Sequence, residues 1–143
     1  MALMSRAELQ SFLDGAFPDL PPPYIIEEVA PGGVRIRLSV TQAHSRPGGT
    51  VAGPTLMAMA DAAAWLAILA HIGPVALAVT TSLHIDFLRK PVLVDLLAEG
   101  HLLKLGKQLA VADVGLHSEG RDELVAKAQV TYSIPPASAS PRR

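Results

Sequence analysis

The residue with the clearest capacity for chemistry in this chain is an aspartate within an apolar segment. Asp61 is the only residue with a formal charge between Arg46 and Asp86. Because an unpaired carboxylate is costly to bury, the fold must have a reason to keep one here. Two interpretations stay open. One is a structural carboxylate bonded to a backbone N–H or to a hydroxyl on a neighbouring strand, and the other is a general base or nucleophile in a pocket.

A glycine, Gly53, lies where the same apolar segment begins. If the segment is helical, its first backbone N–H groups are unpaired and favour negative charge developing on an oxygen. A plain loop glycine is the alternative. Gly53 and Asp61 are separated by about 12 Å along a helix, so one carbonyl cannot contact both within a subunit. A two-fold dimer with antiparallel helices could bring Gly53 of one chain opposite Asp61 of the other.

The element that must carry both residues is a long helix from about Pro54 to Ile72. Proline suits a first helical turn, and Gly73-Pro74 is a stop signal. Alanines lie on every side of this helix, so we expect it to be buried on every side. The stretch from Leu56 to Ile72 is 17 residues long, which is at the lower limit for a membrane span, and Asp61 lies inside it. We therefore expect a core helix and no membrane partner.

The remaining elements are a short helix and six strands. Ser5 and Glu8 form a capping-box pattern for a helix that ends at Phe17, before the segment PDLPPP. Alternating apolar residues predict strands, the first two joined as a hairpin, over 24–29, 34–40, 75–88, 94–105, 108–118 and 124–134. An antiparallel sheet needs cover on its apolar face, and the long helix is the one element apolar enough to supply it. The sequence predicts an α+β fold in which the sheet wraps around that helix.

Composition limits the class of protein and its partners. A chain of 143 residues fits one domain, with 13 acidic and 12 basic residues, so its charge gives no reason to expect nucleic acid. Cysteine is absent, which excludes disulfides and thiolate chemistry, and five scattered histidines give no metal-ligand spacing. The start of the chain is unlike a secretory signal, and we expect a cytoplasmic protein. The open sheet edges and the partly uncovered helix favour a homo-oligomer, either a dimer or a dimer of dimers.

Four segments carry a resemblance to a known family: GGTVAGPTLMAMADAAAW, VTTSLHIDFLRKP, EGHLLKLGKQLAVADV and VAKAQVTYSIPP. Together, over roughly residues 34–135, they resemble the hotdog-fold acyl-CoA thioesterases of the phenylacetate-degradation (PaaI-like) type. The family has His-Gly-Gly at the start of its helix and Leu-Ala-Asp or Leu-Ala-Glu within it. Ala52-Gly53-Pro54 and Met59-Ala60-Asp61 occupy these places with the same spacing. The domain expectation is an N-terminal helix and Pro-rich linker over 1–23, a hotdog domain over 24–135 and a disordered tail over 136–143.

The resemblance implies a role for each matching residue. Asp61 would be the catalytic carboxylate, Gly53 would polarise the thioester carbonyl, and Thr80 would help to orient water. Arg89 and Lys90 match basic residues near the CoA phosphates. Trp65, one turn beyond Asp61, could line an acyl pocket or simply pack in the core. The implied activity is hydrolysis of a medium-chain or aromatic acyl-CoA without any cofactor.

Three departures from the family pattern favour an alternative. The His of the motif is Ala52, its second Gly is Pro54, and the common Asn seven residues before the oxyanion Gly is Arg46, which we assign to substrate binding with Arg89 and Lys90. A site with fewer polar groups would also suit a non-catalytic hotdog protein that binds acyl-CoA or a related apolar ligand. A hotdog dehydratase, which would pair a histidine with an acid, fits least. The acyl group, dimer against tetramer, and nucleophile against general base stay open.

Overall fold

The centre of the fold is one long helix wrapped by a sheet, as the sequence predicts. The computed structural model describes residues 1–19 and 22–136. The helices are α1 (Arg6–Ala16) and α2 (Gly53–Ile72). The strands are β1 (Tyr24–Ala30), β2 (Gly33–Leu38), β3 (Ser45–Arg46), β4 (Thr50–Val51), β5 (Val79–Phe87), β6 (Leu96–Leu105), β7 (Leu109–Ser118) and β8 (Leu124–Ser133).

Six strands form a single antiparallel sheet in the order β1-β2-β6-β7-β8-β5. The helix α2 lies across the middle strands β6 and β7, and its apolar side chains form the core with the inward faces of the strands. This is the predicted hotdog architecture of the α+β class. The strands β3 and β4 form a separate short hairpin between β2 and α2, where the sequence analysis predicted no strand.

Small residues bring α2 unusually close to the sheet. A Cβ added at Gly100 on β6 would lie 3.0 Å from the carbonyl oxygen of Ala63 and 3.6 Å from the Cβ of Ala67. Backbone carbonyl oxygens cannot easily move away within a helix, so glycine is required at this crossing. The alanines of α2 therefore set the depth at which the helix lies in the sheet.

The expectation that α2 is buried on every side is wrong for its first half. From Ala63 to His71 every residue is buried, but Met57 and Ala58 are exposed and Ala62 is half-buried. The helix is long and apolar enough to cross a membrane by composition, yet 67% of the relevant window is buried inside the fold. The exposed apolar part lies near Asp61, where the sheet leaves the helix uncovered.

A bulge in β5 changes which threonine faces the helix. Simple alternation from Leu83 backwards would put Thr81 on the inward face. The pairing of β5 with β8 shifts register between Thr80 and Ser82, so Thr80 lies opposite the buried residue Tyr132. Bulges of this kind commonly re-aim a side chain beside a functional site. The strand also begins at Val79 and not at Val75 as predicted, because residues before it form a turn.

The N-terminal helix is tied to the rest of the fold. The predicted capping box is present: Ser5 Oγ accepts from the Glu8 N–H, and Glu8 accepts from the Ser5 N–H. Gln10 bonds the backbone of β1, and Leu9 and Leu13 are buried. The predicted Pro-rich linker includes Leu20 and Pro21, which lie outside the described residues, as does the predicted tail beyond residue 136.

Candidate active site

The carboxylate of Asp61 is held by two hydroxyl groups from the sheet. Thr80 Oγ1 donates to Asp61 Oδ1 at 2.7 Å, and Tyr132 OH donates to the same oxygen at 2.8 Å. The Tyr132 hydroxyl also approaches the Asp61 carbonyl oxygen at 3.2 Å. Among the described residues none donates to Asp61 Oδ2, so one carboxylate oxygen is fixed and the other is free to react.

Two neighbouring strands place these hydroxyls. Thr80 on β5 and Tyr132 on β8 are direct partners in the antiparallel ladder, so their side chains lie on the same face of the sheet, toward α2. Burial has the largest effect on the pKa of Tyr132 and raises it; the Thr80 hydroxyl lowers it and Asp61 raises it, and the net shift is upward. The phenol therefore keeps its proton over the working range of pH and acts as a hydrogen-bond donor.

Asp61 lies in the wall of a cavity of about 340 Å³. The other lining residues are apolar or aromatic: Leu13, Phe17, Pro22, Tyr24, Ala58, Ala62, Trp65, Ala76, Ala78 and Tyr132. Burial, with a smaller effect of Asp61, raises the pKa of Tyr24 to about 12. One oxygen of the carboxylate is thus bonded as the structural interpretation expects, and Asp61 also lines an apolar space.

Gly53 lies at the first turn of α2, as predicted. The segment that leads into Gly53 is fixed by backbone hydrogen bonds from the Ala52 N–H to the His44 carbonyl at 2.8 Å and from the Val51 N–H to the Pro91 carbonyl at 3.1 Å. Pro54 has no N–H, and the N–H groups of Thr55 and Leu56 both bond the Ala52 carbonyl. In the described part of the chain nothing accepts from the Gly53 N–H, which makes it the available donor of this helix end.

The predicted phosphate-binding residues surround a second cavity next to Gly53. This cavity measures about 340 Å³, and its lining includes Gly53, Arg46, Arg89 and Lys90. Three cations and no acid line it. One nitrogen of Arg89 donates to the Leu124 carbonyl at 2.7 Å, which fixes the guanidinium while its other N–H groups stay available.

The structure therefore divides the predicted site residues into two groups. Asp61 and Trp65 line the first cavity, and Thr80 is bonded to Asp61 without lining it. Gly53, Arg46, Arg89 and Lys90 line the second cavity, and the two linings share no residue. Gly53 and Asp61 therefore line different cavities of the chain. Among residues 1–19 and 22–136, no group of three His, Asp or Glu side chains converges as metal ligands would.

Sequence reasoning missed Tyr132 and Phe17. Tyr132 lies in the strand pattern as one more inward-facing apolar residue, and only the strand register shows that its hydroxyl reaches Asp61. Phe17 lies beyond the end of α1, more than forty residues before Asp61 in the chain, yet it lines the same cavity. The one sequence signal for this role was the presence of a tyrosine on a core-facing position, because a buried tyrosine hydroxyl usually has a hydrogen-bond partner.

Comparisons with known proteins agree on the fold and on one family. The sequence pattern of the Thioesterase superfamily matches residues 48–132, more than half of the chain. No curated protein sequence matches the chain.

Three solved structures illustrate the likeness. A candidate thioesterase from Silicibacter sp. TM1040 is 43% identical with a TM-score of 0.87, and the match covers 95% of each chain. The phenylacetic acid degradation protein PaaI of Thermus thermophilus, solved as a point mutant, is 28% identical with a TM-score of 0.70 over 85% of this chain and 100% of that one. Zebrafish thioesterase superfamily member 2 is 22% identical and shares the fold, with a TM-score of 0.81 over 92% of this chain and 99% of that one.

Proposed function

The chain belongs to the Thioesterase superfamily and is a thioester hydrolase, and we propose that its substrate is a medium-chain or aromatic acyl-CoA. The observation that carries this proposal is the free edge of Asp61 on an apolar cavity. Two hydroxyls hold Oδ1, and Oδ2 faces no donor among the described residues. An apolar space of about 340 Å³ suits an acyl group, since a cavity of ~150 Å³ already accepts benzene.

The cation-lined cavity supports CoA as the thiol part of the substrate. Arg46, Arg89 and Lys90 provide positive charge without a neighbouring acid in the lining. CoA carries phosphate groups, and arginine and lysine bind phosphate by charge-assisted hydrogen bonds. Affinity for CoA is expected to fall as salt screens these contacts.

In the proposed reaction, the thioester carbonyl accepts a hydrogen bond from the Gly53 N–H at the positive end of α2. Asp61 Oδ2 takes a proton from a water molecule whose oxygen attacks the carbonyl carbon. The Thr80 hydroxyl gives its hydrogen to Asp61, so its lone pairs can accept a hydrogen from that water. The carbon–sulfur bond then breaks, and the CoA sulfur takes up the proton. Direct attack by Asp61 Oδ2 through an anhydride is the second route.

This chemistry needs two subunits. Because Gly53 and Asp61 line different cavities of one chain, we place the reacting carbonyl between Gly53 of one subunit and Asp61 of its partner. The exposed residues Met57 and Phe87 give the edge of each subunit an apolar surface that a second copy can cover. A homodimer, alone or within a dimer of dimers, is therefore part of the proposal.

The experiment is release of free thiol from short, medium and aromatic acyl-CoAs by wild type, Asp61→Ala and Asp61→Asn. Asn keeps the size of the side chain and an oxygen for the Thr80 and Tyr132 hydroxyls, so it serves as the matched control for folding. Loss of the carboxylate should lower turnover by about a hundredfold or more in both variants. Measurable acyl-CoA binding without turnover by the wild type would contradict the proposal and favour the non-catalytic alternative, which the residues Ala52 and Pro54 suggest.

A further inference from the structure

We propose that Phe17, together with Trp65, forms the closed end of the acyl pocket and sets the longest acyl chain that the protein accepts. This inference rests on the proposed function for the identity of the ligand. The two rings lie 5.9 Å apart, centroid to centroid, at an interplanar angle of 64°. Both line the cavity that holds Asp61.

The position of the reacting carboxylate fixes the direction of the acyl chain. Trp65 follows Asp61 by one helical turn, so the two side chains lie on the same face of α2. An acyl group whose carbonyl is at Asp61 therefore extends along the alanine floor toward Trp65 and meets Phe17. Ala58, Ala62, Ala76 and Ala78 keep this path open because their side chains are small.

The wall that ends the pocket comes from a part of the chain outside the matched family segment. The family pattern covers residues 48–132, which includes Asp61, Gly53 and Thr80. Leu13, Phe17, Pro22 and Tyr24 precede it and come from α1, the segment after it and the start of β1. The reaction and the choice of acyl group are thus located on different segments, and the N-terminal segment acts as a specificity element.

The chain offers a matched control for Phe17. The ring of Phe12 also lies 5.9 Å from that of Trp65, at 47°, but Phe12 is packed against the core and does not line the cavity. Phe17 is 44% exposed and does line it. Removal of either ring loosens the packing of Trp65, but only removal of Phe17 lengthens the pocket.

The first experiment measures kcat/KM for saturated acyl-CoAs from butanoyl to hexadecanoyl in wild type, Phe17→Ala and Phe12→Ala. Each methylene newly covered by protein adds about fourfold to specificity. In Phe17→Ala, we expect kcat/KM to stay high up to longer acyl chains, so that its ratio between long-chain and medium-chain substrates rises by about tenfold. In Phe12→Ala, we expect the dependence of kcat/KM on chain length to keep its wild-type shape. Phe17→Trp, which fills the space, should shift the preference to shorter chains.

The second readout does not depend on hydrolysis. Trp65 is the only tryptophan in the chain, so its fluorescence reports directly on the pocket. Non-hydrolysable thioether analogues of the same acyl-CoAs are titrated, with bare CoA as the reference that should leave the fluorescence unchanged. The chain length of tightest binding should increase in Phe17→Ala and not in Phe12→Ala. The inference is overturned if both variants shift alike, or if neither does, whereas lack of turnover with a shifted binding profile would contradict only the proposed hydrolysis.

Discussion

At the scale of single residues, the two oxygens of Asp61 have different surroundings. Oδ1 accepts from both Thr80 and Tyr132, and the structure offers Oδ2 no donor among the described residues. Two donors on one oxygen fix the plane of the carboxylate and so determine where its free lone pairs point. In the proposed reaction, the hydroxyls would therefore act as positioning groups for Oδ2.

We expect Tyr132→Phe and Thr80→Val each to lower kcat by about tenfold to a hundredfold with little change in KM. Each substitution removes one charge-assisted hydrogen bond, worth about 1.5–3 kcal/mol, but keeps the shape of the cavity. Steady-state kinetics with the best acyl-CoA measures the effect.

Thr81→Val is the matched control for that pair. Thr81 is the neighbouring threonine of the bulge, and its hydroxyl donates to the Thr131 carbonyl at 3.3 Å and makes no contact with Asp61. The kcat of the Thr81→Val variant should stay within about twofold of the wild-type value. If kcat fell equally in Thr80→Val and Thr81→Val, the loss would come from a disturbance of β5 and not from the missing hydrogen bond to the Asp61 carboxylate.

At the scale of elements, the site depends on how closely α2 approaches the sheet. The hydroxyl of Tyr132 reaches Asp61 because α2 lies against β6 at Gly100, where a Cβ would meet the Ala63 carbonyl oxygen at 3.0 Å. His71 supports the other end of the helix, since its Nδ1 donates to the Ala67 carbonyl and its Nε2 accepts from the Gly32 N–H. The middle of the helix is thus packed closely against β6, and its C-terminal end is bonded to the turn between β1 and β2.

Gly100→Ala should lower the free energy of unfolding by about 1–3 kcal/mol, because the added methyl group pushes against helix backbone that cannot move aside. Gly15→Ala is the matched control. Gly15 lies in α1 with no atom within 4 Å of an added Cβ, so the same change there should stabilise the protein by about 0.5–1 kcal/mol. Urea denaturation of both variants measures the difference, and destabilisation by both would contradict the close-approach explanation.

At the scale of the whole molecule, a single subunit leaves β5 incompletely covered. β5 is an edge of the sheet, and its helix-facing residues Leu83 and Ile85 are only half-buried while Phe87 is 51% exposed. An edge strand with an apolar face favours pairing with a second copy. Such pairing would also bring the two cavities of neighbouring subunits together.

Mixing two inactive variants should restore activity if the site is shared. Asp61→Ala removes the carboxylate, and Gly53→Pro removes the N–H at a helix position that tolerates proline. In a mixed dimer one of the two sites receives an intact Asp61 and an intact Gly53. Unfolding and refolding an equimolar mixture should therefore give roughly a quarter of wild-type thiol release.

The controls for this mixture are each variant refolded alone, with circular dichroism and sedimentation to establish that both are folded and dimeric. A mixture that contains mixed dimers and stays inactive would place both residues in one subunit's site. That result would contradict the shared site while leaving the assignment of Asp61 intact.

The sequence by itself determined most of the elements and singled out the residue that we propose to react. Periodicity and capping patterns depend on local interactions, so they correctly predicted α1, α2 and the six strands of the large sheet to within a few residues, but not the short hairpin of β3 and β4. The lone charge of Asp61 in an apolar helix pointed to the site for the same reason, since burial of charge is costly in any fold.

The tertiary structure decided which groups surround that charge. The choice of Thr80 over Thr81 depends on one bulge in β5, and the contact of Tyr132 depends on strand register. The place of Phe17 depends on how α1 packs against Trp65. Each of these is set by long-range packing and pairing, which a local pattern of residue types does not encode. The distance between Gly53 and Asp61, by contrast, follows from the rise of the helix and was predicted from the sequence. The structure adds that the two residues line different cavities, and this separation makes the second subunit necessary to the proposed reaction.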